Sequence, residues 1–457
     1  MSRQSSRNLL DYAENYFFLS LILLKLLYKT KILDGNELKD NKRRHRKKGI
    51  RLFIICAEVF TLIIAIGFGF IFYKVDERNR LSDSLKRAGI TAELLAGKNV
   101  SKEASDHNSV ADKSRYGTLL SDTEYCSENR IFAKDTISPE QVVLAFAGDV
   151  SFADGYANMG MLNQRENKIF DCFDQGMKDA MIDADIFMVN NEFPYTNSGT
   201  PTAGKQFTFR AKPENVKYLY DMGVDIVSIA NNHIYDYGEI SLRDTISTLD
   251  DAAMPFVGAG INLKEAMKPV YFIANDMKIA IVSATQIERL DHPDTVGATD
   301  SSPGVFRCWY NDEILNCIKE AKENSDYVVA YIHWGNEMQN TPDYAQIQQG
   351  EQMAKAGADL IIGDHPHCLQ PITYIGETPV IYSLGNFWFN SKTTDTGLLE
   401  VTIDENGAKS LQFIPAIQSN SVTSMLDGSE KQRVLQYMQS ISPDVIIDTD
   451  GYITKNR

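Results

Sequence analysis

No Cys-x-x-Cys pair occurs in these 457 residues; the six cysteines stand at positions 56, 126, 172, 308, 317 and 368 without framework spacing. That excludes zinc-finger and thioredoxin-type motifs and argues against a disulfide scaffold, leaving only a Cys308–Cys317 pair open. There is no glycine-rich phosphate loop, no internal repeat and no basic–aromatic stripe in the acidic part of the chain. Nucleic acid is therefore not an expected partner. Histidine is scarce as well, with seven in the chain, so its placement carries information. Two of the seven, His365 and His367, stand one residue apart in "IGDHPHCLQPI" (362–372).

The charge is partitioned. The net value of −15 divides into roughly +7 over residues 1–48 and roughly −22 from residue 74 onward. An apolar run, "RLFIICAEVFTLIIAIGFGFIFYK" (51–74), joins the two parts. About 22 residues with a single charge, Glu58, are long enough to cross a bilayer's hydrocarbon layer. The preceding "KRRHRKK" places the N-terminus inside and the body outside by the positive-inside rule. An N-region of about 50 residues is too long for a cleaved signal peptide. The expected organisation is a basic cytoplasmic segment over 1–49 and a transmembrane helix over 50–73. A polar extracellular stalk over 74–140, a folded domain over 141–420, and a C-terminal helix and tail over 421–457 follow. A shorter apolar stretch at 16–29, interrupted by Lys25, reads as an interfacial helix.

From Val142 onward, short apolar runs alternate with amphipathic stretches. Strands are expected at 142–150, 184–193, 224–233, 326–335 and 358–367, and a hairpin across Asn275-Asp276 at 269–285. Further strands are expected at 397–403 and 410–418. Helices are expected at 168–182, 213–223, 239–253, 311–324 and 343–357. Strand–helix alternation followed by hairpins suggests a mixed α/β sandwich.

Five of these strands end in residues able to ligate a metal or move a proton. They are Asp149; Asn190, Asn191 and Glu192; Asn231, Asn232 and His233; His333; and Asp364, His365 and His367. Ligands of open α/β sheets collect beyond the carboxyl ends of strands, so the five tips are expected to converge. Any one strand-end histidine is more often a satisfied core residue; five tips behaving alike are not. Carboxylates, an amide and neutral imidazoles suit Mn, Fe or Zn, as one or two divalent ions. An extended backbone through His365-Pro366-His367 would point the two rings to opposite sides.

The motifs "AGDVSF", "NNEFPYT", "FRAKPE", "GVDIVSIANNHIYDYG", "IHWGNE", "GADLIIGDHPHCLQPI" and "IYSLGNFWF", in this order, resemble the CapA/PgsA capsule-synthesis proteins of poly-γ-glutamate biosynthesis. The resemblance covers about residues 142–390. That family is similar to the calcineurin-like metallophosphoesterases, which implies a four-layer α/β/β/α sandwich and a two-metal site. By motif, Asp149 would bind the first metal, Glu192 would bridge, Asn232, His333 and His365 would bind the second, and His367 would join the first. His233 would be the general acid. Metallophosphoesterases place a histidine where Ser151 stands here, so the first metal would lose an imidazole.

Arg210 is a candidate grip for phosphate or carboxylate, against the plainer reading of a surface salt bridge. Asn386 is a candidate to orient a metal ligand, against a turn-forming role. Trp334 and Glu337 would wall the pocket or, for Trp334, sit in the core; His107 and His292 read as solvated. The resemblance implies a membrane-anchored extracellular protein of capsule or poly-γ-glutamate synthesis, export or anchoring. Its expected partners are the bilayer, membrane subunits of a polymer synthase or exporter, and an anionic polymer such as poly-γ-glutamate. The alternative is a metal-dependent hydrolase or transferase acting on a phosphoester or γ-amide at the cell surface.

Overall fold

The computed structural model describes residues 114–287 and 295–456. The expected span at 50–73, the basic segment before it, His107 and His292 lie outside the described residues. Among the described residues, no helix is long and apolar enough to cross a membrane.

Two sheets carry the body. The seven-stranded sheet runs, edge to edge, Ile131–Lys134, Val270–Ala274, Met277–Thr285, Tyr327–His333, Leu360–Asp364, Thr378–Ile381 and Ile372–Ile375. The eight-stranded sheet runs Val422–Met425, Gly407–Ser419, Thr394–Asp404, Val142–Val150, Ile186–Asn191, Ile226–Ser228 and Phe256–Val257, with Asn386–Trp388 added beside Val142–Val150.

Period-two alternation on apolar strands sorts side chains into layers. Leu144, Phe146, Ile186 and Met188 from one sheet meet Ile279, Ile281, Val329 and Ile362 from the other in one buried cluster. Ala145, Ala147, Phe187 and Val189 face the opposite way, into a cluster shared with Met177, Met181, Leu242 and Leu249 of helices Gln175–Asp183 and Glu239–Asp251. On the far side, Val328, Ala330 and Ile361 pack with Ile314, Ile318 and Met353 of helices Asp312–Asn324 and Tyr344–Ala356. Helix, sheet, sheet and helix thus succeed one another, each interface sealed by its own apolar layer. Strands apolar on both faces are what such burial demands.

Parallel pairing decides where the polar tips go. Val142–Val150, Ile186–Asn191 and Ile226–Ser228 run parallel, as do Met277–Thr285, Tyr327–His333 and Leu360–Asp364. Their carboxyl ends therefore lie together within each sheet. Asp149 stands opposite Asn190 and Asn386, and His333 opposite Asp364.

Several expectations change in detail. The stalk does not reach residue 140: Ile131–Lys134 pairs parallel with Val270–Ala274, and Tyr116, Leu119, Leu120, Cys126 and Ile131 pack against Ile273 and Tyr271. Sparse apolar residues in a polar stretch were enough to build a sheet edge. The helix over 168–182 is a 3-10 turn, Lys168–Cys172, and a separate helix, Gln175–Asp183. Phe173 breaks it by bridging to Thr423, and Asp174 caps the second piece by accepting from the Met177 N–H at 2.9 Å. The 213–223 helix likewise opens as a 3-10 turn, Pro213–Val216. The strand over 224–233 ends at Ser228, because the Asn231 side chain accepts the N–H groups of His233 and Ile234 at 3.1 Å each and turns the chain. The hairpin at Asn275-Asp276 forms as expected, with positive φ at both residues. Cys317 is a free thiol, so no bridge joins Cys308 to Cys317. After residue 420 a strand, the helix Gly428–Ile441 and a two-strand pair follow, and Val434, Leu435 and Met438 close the inter-sheet core.

Candidate functional site

At the shared strand ends, every residue expected as a metal ligand comes into one buried cluster. His333 Nε2 lies 2.9 Å from Asn232 Oδ1 and 3.1 Å from His365 Nδ1. His367 Nδ1 lies 2.9 Å from Asp149 Oδ2 and 2.9 Å from Asn386 Oδ1. Glu192 is fully buried at the centre: its Oε1 is 3.8 Å from His233 Nε2, 3.8 Å from His333 Nε2 and 3.9 Å from His367 Nε2. Among the described residues that oxygen has no hydrogen-bond partner, and neither has Asp364 Oδ2.

Donor atoms of Glu192, His333 and His365 all lie within 4.8 Å of one another, and so do those of Asp149, Glu192 and His367. The two groups share Glu192, as a bridging carboxylate would. A third group, Asp149, His333 and Asp364, overlaps both.

The electrostatics tell the same story. Burial, then the charges of Asp149 and Asp364, push the Glu192 carboxyl well above the usual carboxylate range. Burial and Asp149 do the same to Asp364. Burial also drives His333 and His365 well below the ordinary imidazole value, which leaves both neutral and able to donate a lone pair. Burial opposes charge on Asp149 and His367 too, but their mutual hydrogen bond outweighs it, lowering the acid and raising the base. Three buried carboxyl groups with one unpartnered oxygen at their centre form a site short of positive charge. The donor set and the orphaned Glu192 oxygen fit a divalent cation.

The His365-Pro366-His367 segment is not extended. His365 has φ 91° and His367 φ 58°, both in the left-handed region that non-glycine residues avoid. The strand stops at Asp364, and the turn after it delivers the two rings to different neighbours, His333 and Asp149. Strained backbone of this kind persists where the surroundings over-determine it.

His233 sits beside the cluster. Its Nδ1 is 2.7 Å from Asp236 Oδ2, and Phe209 stacks on its ring at 4.2 Å. Burial outweighs Asp236 and lowers its pKa. Asn386 Oδ1 lies against His367 Nδ1, and its strand pairs with the one that carries Asp149. Arg210 is not in the cluster; its guanidinium lies over the Tyr237 ring at 4.5 Å. Trp334 is core, donating to the Tyr382 carbonyl, and Glu337 is exposed. Ser151 is buried, and its carbonyl accepts from the Asn158 amide at 2.7 Å.

Sequence reasoning placed Asn190 among the strand tips without a separate role and singled out neither Asp236 nor Lys205. Asn190 donates to Asp149 Oδ1 at 2.9 Å and accepts from Asn231 at 3.0 Å, linking two strand tips. Asp236 could have been found as the acid three residues after His233. Lys205, in a loop 28 residues before His233, left no signal.

The family described as bacterial capsule synthesis protein PGA_cap matches residues 143–391. The chain belongs to this family. A relative from Bacillus subtilis (strain 168), "PGA biosynthesis protein CapA", is 31% identical over 61% of this chain and 72% of its own length. "Capsule biosynthesis protein CapA" of Bacillus anthracis is 34% identical over 52% and 58%. A "probable polyglutamine synthesis accessory protein" of Mycobacterium tuberculosis (strain ATCC 25618 / H37Rv) is 26% identical over 44% and 55%. The chain thus spans little more than half the length of the last two. Among solved structures, TT1561 of Thermus thermophilus aligns with 58% of this chain and 99% of its own at 10% identity and TM-score 0.31. The 5'-nucleotidase of Candida albicans SC5314 aligns with 60% and 54%, at 10% identity and TM-score 0.32. Likenesses this loose say nothing about activity.

Proposed function

We propose that this capsule-synthesis protein holds divalent metal at the strand-tip cluster and acts with it on a surface polymer or its precursor. The buried, unpartnered Glu192 Oε1, facing three imidazole Nε2 atoms at 3.8–3.9 Å, is the observation that carries the reading. Asn232, His333, His365 and Glu192 would hold one ion, and Asp149, Glu192 and His367 a second. Mn, Fe or Zn suits the donors. The sandwich would be of metallophosphoesterase type.

Metal bound there supplies Lewis acidity and a water acidified for attack on a phosphoester or γ-amide. The chain's own residues supply the rest. Asp236 accepts from His233 Nδ1, so Nε2 is the atom left to face the cluster; it would first take up a proton from solvent there, giving the imidazolium that Asp236 stabilises, and then hand that proton to a leaving group. Asn386 and Asn190 fix the orientation of His367 and Asp149. Arg210, stacked on Tyr237 outside the cluster, would offer its guanidinium to a part of an anionic substrate that extends beyond the metals. The acidic body repels polyanions elsewhere, so poly-γ-glutamate would be held through the metals and Arg210. The apolar run at 50–73 would anchor the chain with its N-terminus cytoplasmic and this body extracellular, beside membrane subunits of a synthase or exporter.

A second reading, an accessory subunit that binds without turnover, is favoured by Ser151. Its Oγ accepts from the Ala153 amide and its carbonyl from the Asn158 amide, and the Asp149 half of the site has one imidazole where the His333 half has two. The test is metal analysis of the full chain with His365→Ala and His367→Ala together, followed by capsule polymer measured in cells carrying His233→Asn. Loss of metal in the double variant and loss of polymer in His233→Asn support the catalytic reading. Normal polymer with His233→Asn, but none with His365→Ala, leaves the accessory reading standing. Unchanged metal content in the double variant sinks both.

A further inference from the structure

Lys205 lies in a stretch without regular secondary structure, yet its side chain is only 6% exposed. A buried ammonium is costly unless its protons are matched, so a lysine here needs a reason. Its Nζ donates to the Asn232 carbonyl at 2.5 Å and to Asp236 Oδ1 at 2.6 Å. The other carboxylate oxygen, Oδ2, accepts from the Phe209 amide at 2.6 Å and meets His233 Nδ1 at 2.7 Å. Thr202 closes the loop on the same turn, its amide donating to the Asp236 carbonyl at 2.8 Å. The segment from Thr202 to Phe209 is therefore strapped across the turn that carries Asn232 and His233, and Lys205 is its charged fastener.

We propose that Lys205 is a positioning residue of the centre: its ammonium ties the Asn232 carbonyl to the Asp236 carboxylate and so holds His233 with its proton on Nδ1. Asp236 paired with Lys205 is an acceptor only, so the imidazole must donate from Nδ1 and turn Nε2 toward Glu192. The same ammonium anchors the backbone of Asn232, whose side chain meets His333. One side chain sets both the orientation of the proton-bearing ring and the placement of an amide expected at the metal. The inference rests on the reading above only in taking these residues as the working part of the site.

The experiment uses the full-length chain labelled with 15N-histidine; seven histidines keep the imidazole spectrum sparse, and His233→Asn assigns its signals. Wild type should show His233 as a single Nδ1–H form. Lys205→Met should give two tautomers in exchange and weaken Mn or Zn binding about 10–100-fold, the usual loss when a group supporting a metal ligand is removed. Lys205→Arg, which keeps charge and donors, should restore the single form. A Lys205→Met protein with the wild-type His233 pattern and wild-type metal affinity overturns the proposal. If Lys205→Met does not fold, Lys205→Gln, which loses the charge but keeps a donor, is read by the same two outcomes. Absence of turnover in the wild type would remove the catalytic reading while leaving the tautomer result to decide on Lys205.

Discussion

Replacing Glu192 by glutamine tests the metal centre without tearing a hole in it. In the metal-free fold, burial and two neighbouring acids hold the Glu192 carboxyl well above the usual range, which favours its protonated form. Glutamine is the neutral isostere of that form and should change metal-free stability by less than about 1.5 kcal/mol. What it loses is the oxygen that would become anionic when a cation binds. An ion supplied at about 100 times its Kd stabilises the fold by about 2.7 kcal/mol. For a body of this size that is a rise in Tm of about 5 °C.

The sign of the pH dependence follows from the raised pKa. A carboxyl that holds its proton in the metal-free fold, while the unfolded chain has released it, costs stability as pH rises from the ordinary carboxylate range. A cation must displace that proton, so its affinity should climb about tenfold per pH unit for each proton released. The metal-free and metal-loaded stabilities of the wild type should therefore diverge as pH rises above the ordinary carboxylate range. Thermal melts of the chelated protein with graded Mn or Zn measure this directly. A wild-type Tm indifferent to chelator and ion, or a Glu192→Gln protein that keeps the full response, would refute the reasoning.

Three further outcomes are expected. A chain begun at Asp135 loses the strand Ile131–Lys134 and the Lys134–Asp225 ion pair, both side chains of which are largely buried. Against a chain begun at Ser114 it should be less stable by about 3–5 kcal/mol, read from the urea midpoint; equal midpoints would put the domain boundary back near 140. Gly363→Ala would place a Cβ 2.1 Å from both Trp334 Nε1 and the Tyr382 carbonyl oxygen, costing about 1–3 kcal/mol or more and lowering metal content with it. Asp221 is pushed up to about 6 by burial. Its folded carboxyl keeps a proton that the unfolded chain has already released, so the wild type loses stability as pH rises through that interval. Asp221→Asn should then stabilise by about 1–2 kcal/mol at pH 7, allowing for partial exposure, and change nothing at pH 3.5. An equal gain at both pH values would contradict this.

What could be read in advance was whatever periodicity and local order control. The strand 142–150 was found at its full length because an uninterrupted apolar run buried on both faces has few alternatives. The convergence of Asp149, Glu192, Asn232, His333, His365 and His367 came from strands that all end in polar residues. What stayed hidden was set by contacts distant in sequence. Phe173 breaks a helix to reach Thr423, and Lys205 crosses to Asp236; neither partner is marked by spacing. The edge strand at 131–134 was obscured by the polar residues around it, since one edge pairing needs only a few apolar contacts.

The two Gly-Asp steps show how the visible pattern and its hidden cause meet. Gly148 precedes Asp149 and Gly363 precedes Asp364, each at a strand end beside the cluster. A Cβ on Gly148 would lie 1.9 Å from the Gly385 carbonyl oxygen, the atom that accepts the Asp149 amide at 3.0 Å. Without that Cβ the chain before Asn386 closes on the strand, and Asn386 comes into register with Asp149. His367 can then meet both side chains at 2.9 Å. At Gly363 the missing Cβ admits the Trp334 indole, which comes directly after His333, while His333 reaches Asp364 at 2.9 Å. Each acid is thus located by a backbone approach that only glycine allows, before any side-chain rotamer is chosen. A buried carboxylate fixed in this way cannot swing aside from its neighbours, so relief of its charge must come from protons or from a cation.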